Sequence, residues 1–193
     1  LLQLVQITDY PEKVNPLPLT KHSDPWIRAQ AFQYVRDWNV LNNGVEDPSS
    51  LVRVVVADRV ARLLDEQDSD VGCQIVHRFA QSPHAYERWK AAYGLSFCRD
   101  SEPVLVGLFQ DVDIDVIRQA VLSMGEMSDA LEYWNDLIAL THHSNSFVRR
   151  WTWKTIGRLS HAEVDTMLKQ CIEKEASVLA KAECAKALQH KGF

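Results

Sequence analysis

Between Ser146 and Leu159 the chain carries Arg149, Arg150, Lys154 and Arg158 and no acidic residue. At about 100° per residue of an α-helix, Arg150, Lys154 and Arg158 fall at i, i+4 and i+8 and form one ridge. Trp153, three residues from Arg150 and four from Arg149, is expected beside that ridge. Val148, Trp151 or Thr152, Thr155, Ile156 and Leu159 make the opposite, buried stripe. A guanidinium is a planar donor fork and an indole presents a π face, so the set Arg149, Arg150, Trp153, Lys154 and Arg158 suits a phosphate backbone, an acidic peptide or a stacked base. A solvated helix face with Trp153 packed between units explains the same residues, and both readings stand.

Other spacings promise less chemistry. Asp111, Asp113 and Asp115 begin like a calcium loop, which needs Gly at its sixth place and Glu at its twelfth. Val116 and Leu122 stand there instead. His142 and His143 are adjacent, and neighbouring helical side chains diverge, so with His161 they make a poor zinc site without a thiolate pair. Gly-rich phosphate loops, Gly-x-Ser-x-Gly elbows, His-Glu-x-x-His and dinucleotide fingerprints are missing from the sequence. No catalytic residue, metal ligand or cofactor is assigned.

The elements that must position the basic ridge follow from composition and period. The chain has 193 residues with only 7 Gly and 7 Pro, and 46% are hydrophobic. Such a chain favours helix and has material for a core. Gly94, Gly125, Gly157 and Leu188 recur at a spacing of about thirty, each in an amphipathic segment that follows a shorter one across a tight turn. Helix pairs are expected at 71–80 with 83–98, 102–110 with 114–127, 130–140 with 146–159, and 162–172 with 177–190. Asp113 should cap the second helix of its pair. Upstream, Asp24 opens a helix to about Asp37, and 47–50 opens another to about Asp65. Residues 39–46, with Asn42-Asn43-Gly44, read as a turn, and 10–19, with three prolines, as an extended connector. Trp26, Trp38 and the stripe Tyr86, Trp89, Tyr93 are expected in the core.

Two helices per unit, an Asp at the turn and an Arg early in the second helix resemble the HEAT-repeat and HEAT-like family. Asp24-Pro25 with Arg28, Asp47-Pro48 with Arg53, and Asp113 with Arg118 carry that pattern best. The resemblance implies an all-α fold, an α-solenoid of about five HEAT-like repeats. It would form a single domain over 1–193, with 1–20 as an irregular lead-in and repeats from 21 onward. It also implies a ladder between units made by those Asp and Arg residues, Arg118 included, and second helices lining a concave side. In such an array each pair buries one face on its neighbour.

Those second helices hold 14 basic and 7 acidic residues, although the chain as a whole is −5. One basic residue per helix belongs to the ladder, so only 146–159 stands out. The implied function is a non-enzymatic scaffold that binds a protein or peptide on its concave face. The alternative is a nucleic-acid-binding protein similar to the HEAT-like alkylpurine DNA glycosylases, and a lesser one is a bilin lyase-type HEAT-like protein. Every apolar run is too short to span a bilayer, so no membrane partner is expected. The chain begins without Met, with an apolar stretch from Leu1 to Ile7, which reads as a trimmed start. Cys73, Cys98, Cys171 and Cys184 are widely spaced, which suggests reduced thiols and a cytoplasmic location.

Overall fold

The structure, a computed structural model, describes residues 15–191. Among these, every regular element is a helix. They fall into two compact units, Leu1–Arg99 and Asp100–Phe193. The lead-in partly lies outside the described residues, as do Leu1 to Ile7; the described part, Leu17–Lys21, is a 3-10 helix rather than extended chain.

The first unit holds α1 (Pro25–Phe32), α2 (Trp38–Gly44), α3 (Ser50–Glu66), α4 (Asp70–Ala80) and α5 (Ala85–Leu95). Here α3 packs on both α1 and α5, while α2 and α4 cover the other side of α3. The second unit holds α6 (Glu102–Leu108), α7 (Ile114–Met124), α8 (Trp134–Leu140), α9 (Ser146–Ile156), α10 (Val164–Lys174) and α11 (Val178–Lys191), with a 3-10 turn over Ala130–Tyr133 before α8. Helix α9 packs on α7 and α11, and α6, α8 and α10 back α7, α9 and α11 in turn. The pairs thus lie where the thirty-residue period puts them.

In the second unit apolar residues from both members of each pair make the core: Leu105, Ile117 and Val121 in α6 and α7, Leu137, Val148 and Ile156 in α8 and α9, and Val164, Leu168 and Ala180 in α10 and α11. Removing such a side chain from water contributes roughly 1.5–3 kcal/mol, more than any exposed ion pair can offer.

Residues 39–46 are not a turn. Asp37 accepts from the amides of both Asn39 and Val40, which caps a helix seven residues long. Gly44 ends it buried, where a Cβ would come within 2.6 Å of Val56 and 2.9 Å of Phe32. That glycine serves close packing, not chain reversal. Pro83 likewise lies ahead of α5, since His84 is the N-cap.

The aromatic expectations need correction too. Trp26 is 47% exposed in the first turn of α1 and Tyr86 is 48% exposed. Trp89 and Tyr93 are half-buried, and Lys90 covers the Trp89 ring at 4.4 Å. In their i, i+3, i+7 stripe Lys90 covers the Tyr86 and Trp89 rings, while Tyr93 meets the Phe97 ring edge-on. The four cysteines are not free thiols. Cys73 pairs with Cys98 and Cys171 with Cys184, each bridge tying together two consecutive segments of one unit. Widely spaced residues are brought to Cα separations of 5.6 and 6.3 Å because antiparallel helices fold back on each other.

The recurrent glycines mark the contacts between successive second helices. A Cβ on Gly94 would meet Ala61 and Val76, one on Gly125 would meet Thr155 at 2.6 Å, and one on Gly157 would collide with Ala187. Gly157→Ala should therefore push α9 and α11 apart and cost about 1–3 kcal/mol by thermal denaturation. Adding Ala187→Gly should recover part of that loss. Unchanged melting of Gly157→Ala would show that the two helices do not depend on this contact.

Candidate functional site

Helix α9 starts at Asn145, whose side chain accepts from the Phe147 amide. Val148, Thr152, Thr155, Ile156 and Leu159 are buried, so the apolar stripe is correct in its Thr152 form. Trp153 is buried as well, only 7% exposed. It lines a cleft with Met167 and Cys171 of α10. The indole beside the basic ridge is Trp151, at i, i+3, i+7 with Lys154 and Arg158. The Lys154 ammonium lies 4.5 Å from the Trp151 ring, and the guanidiniums of Arg150 and Arg118 lie at 5.3 and 5.7 Å.

The structure gives Arg149 a different task from its neighbours. Four residues after its N-cap, it donates Nη1 to the carbonyls of His143 and Ser144 at 2.9 and 3.1 Å. It also grips Glu175, Nη2 to Oε1 at 2.7 Å and Nε to Oε2 at 3.0 Å. The same arrangement recurs. Arg28, Arg53 and Arg88, each four residues after an N-cap, donate to the carbonyls of His22, Asp47 and Ser82, six residues back. Arg28 then grips Asp47, and Arg53 grips the buried Glu87.

Two kinds of turn aspartate are therefore present. Asp24 and Asp113 are N-caps. Asp47 stands two residues ahead of its cap, where it accepts from the Ser49 amide and receives Arg28. Arg118 is one place past the ladder position, which Ile117 occupies, and it meets Asp115 at 3.5 Å and the Trp151 ring. The expected Arg118 ladder is corrected accordingly: Arg118 corresponds to Arg150, the fifth residue after the cap.

The rest of the ridge is largely paired. Arg150 donates Nε and Nη2 to Glu183 Oε1 at 3.0 and 2.8 Å, and Arg158 donates to Glu126 at 2.9 Å. The pair at Arg150 is partly buried, that at Arg158 exposed. Lys154 has no carboxylate within ion-pair distance among the described residues, and neither does Lys186 of α11. These two lysines, with Arg158, Ser160, Glu183 and His190, line a cleft of about 580 Å³ whose floor is the Gly157 to Ala187 contact. Arg118, Trp151, Lys186 and His190 were missed by sequence reasoning. The equal cap offsets of Arg118 and Arg150, and the i, i+3, i+7 set from Trp151, could have signalled the first two.

The model of HEAT repeats matches residues 101–189. The crystal structure of an engineered protein is similar across 90% of this chain and 94% of its own, with a TM-score of 0.65 and 14% identity. That likeness extends the helical-repeat fold, the α-solenoid class, to the N-terminal part. No curated protein matches the chain. Among the described residues no helix is long and apolar enough to cross a membrane.

Within the stretch matched by that model the hydrogen bonds of Arg149 hold the Glu175 carboxyl down at about 2, against the opposing effect of burial and with help from the Ser177 amide. Because the folded value lies below the ordinary 4.5, the stabilisation is present at neutral pH. It is lost as pH falls from about 4.5 through about 2. We expect Glu175→Gln to lower stability by about 2 kcal/mol at pH 7 and by almost nothing at pH 2. Denaturant titrations of both proteins at the two pH values check this, and a difference independent of pH would contradict it.

Proposed function

We propose that the chain is a non-enzymatic interaction scaffold that binds a protein or peptide partner on the exposed face of α7, α9 and α11, the side expected to be concave in a helical repeat array. The observation that carries this reading is the convergence of Arg118, Arg150 and Lys154 on Trp151, on a stretch of HEAT repeats. An indole ringed by cations offers apolar area together with charge, the pairing found at the energetic centres of protein interfaces. Of the residues expected to bind, Lys154 and Arg158 contribute charge and Arg150 orients against Glu183. Arg149 and Trp153 support the helix from below.

Nucleic acid is the second reading, favoured by the basic excess of α9. Against it, Arg149, Arg150 and Arg158 already face carboxylates. A duplex carries one charge per roughly 1.7 Å and calls for an extended track of unpaired cations. The cytoplasmic location expected from free thiols loses its ground with two cystines, which suit an oxidising compartment. Thiol labelling of protein taken directly from cells distinguishes the two locations.

The function test titrates salt against a labelled glutamate-rich peptide, a duplex and a single strand. We expect the peptide to bind at low salt and Lys154→Glu to weaken it about tenfold while leaving melting within about 0.5 kcal/mol. Arg150→Glu is a poorer probe because it sets two carboxylates together. Binding of the duplex alone would replace the scaffold reading with the nucleic-acid one.

A further inference from the structure

We propose that the cleft between α9 and α11 is a recognition site for a phosphomonoester, a phosphoserine or phosphothreonine borne by the partner segment; this rests on the scaffold reading above. Lys154 and Arg158 lie one turn apart on α9, and Lys186 and His190 lie one turn apart on α11, so two short basic ridges line the same cleft of about 580 Å³. Gly157 lets the helices touch at its floor, because any Cβ there would strike Ala187. With only the Ala187 methyl on that floor, the four basic groups and the Ser160 hydroxyl are left as the polar lining, apart from Glu183.

Charge arithmetic selects the ligand. Glu183, the one carboxylate on the cleft wall, is already taken by two guanidinium nitrogens of Arg150. Among the described residues Arg158 is held by Glu126 alone, through one nitrogen, and both side chains are more than half exposed. An exposed pair of that kind is worth about 0.2–1 kcal/mol, so Arg158 can turn to a better acceptor. Among the described residues, Lys154 and Lys186 have no carboxylate within ion-pair distance.

Three cations around one open cleft exceed what a single carboxylate neutralises, and they match a group carrying about −1.5 to −2 with three acceptor oxygens. The fork of an arginine flanked by two ammoniums is the donor set such a group takes. A phosphodiester offers one charge per group and would leave two cations unanswered, which is why the monoester is the better occupant.

The test uses the intact chain and three versions of one neutral twelve-residue peptide, bearing serine, phosphoserine or glutamate, with fluorescence anisotropy as the readout. A single-stranded oligonucleotide of similar length serves as the diester arm. The phosphoserine peptide should bind at least about tenfold more tightly than the serine and glutamate versions. Lys186→Glu and Lys154→Met should each erase that difference. Circular dichroism establishes that the variants remain folded, and Lys186→Arg, which keeps the charge, should retain the preference.

Equal binding of the phosphoserine and glutamate peptides, or a phosphoserine preference that survives Lys186→Glu, overturns the phosphate site while leaving the scaffold reading in place. Tighter binding of the oligonucleotide than of any peptide overturns both. If none of these probes binds but the glutamate-rich peptide does, the phosphate site alone falls.

Discussion

The fold depends on where a half-buried guanidinium can find acceptors. An arginine four residues into a second helix is pulled out of water by the next unit, and its five N–H groups must be answered locally. The chain does this by one device used four times: the carbonyl six residues back accepts from Nη1, which closes the turn that starts the helix. Where the rest of the fork is paired with an acid, that acid belongs to the following repeat, so closing a turn and stacking the next repeat become one event. The source of the carboxylate varies. Asp47 and Glu175 supply it from the turn itself, whereas Glu87 reaches Arg53 from inside α5 because Ser82 stands in the turn and bonds that same carboxylate. At α7 the arginine gives way to Ile117, and the corresponding turn position is His143. Removing both halves of such a pair costs little, while removing one leaves a stranded charge.

This explains how much was legible beforehand. Helix pairing and the thirty-residue period follow from apolar spacing, which reports burial directly. The glycines of that period proved to be contact points between helices, a role that periodicity alone does not reveal. Residues 39–46 were misread because Asn42-Asn43-Gly44 has the composition of a turn, while Asp37, which caps the helix, lies upstream of the stretch. The two tryptophans of α9 were interchanged for a geometric reason. A helix packed on α7, α11 and a partner behind it buries a wider arc than one stripe, and Trp153 falls inside that widened arc.

The basic surplus of the second helices suffers most on folding. Counting charges along a helix treats each as free, yet Arg149, Arg150 and Arg158 find their acids 26, 33 and 32 residues away. Separation in sequence of about one repeat is what stacking converts into contact, so the acids that cancel a ridge sit on the neighbouring repeats. In the first unit the same occurs at Asp58, which receives Lys90 from the next repeat and, in addition, Arg62 from one turn along its own helix. Burial pushes that carboxyl up, and the two cations outweigh it and hold it low. On the two walls of the α9–α11 cleft, the cations that survive cancellation among the described residues are Lys154 and Lys186.

Helix α11 shows why those two residues face each other. Of its side chains, Ala180 and Cys184 are buried, while Val178 and Leu179 at its start are 79% and 59% exposed. So small an apolar face would position a helix weakly. Its place is fixed instead by the cystine to α10, by Glu175 held by Arg149 just ahead of its first turn, by Glu183 held by Arg150 in its middle, and by Ala187 seated on Gly157. Three of these four are polar or covalent, and none can be read from hydrophobic pattern. The wall that carries Lys186 and His190 is thus positioned by the cysteines and arginines that the sequence suggested were free, and its orientation toward α9 follows from pairing rather than from a large buried surface.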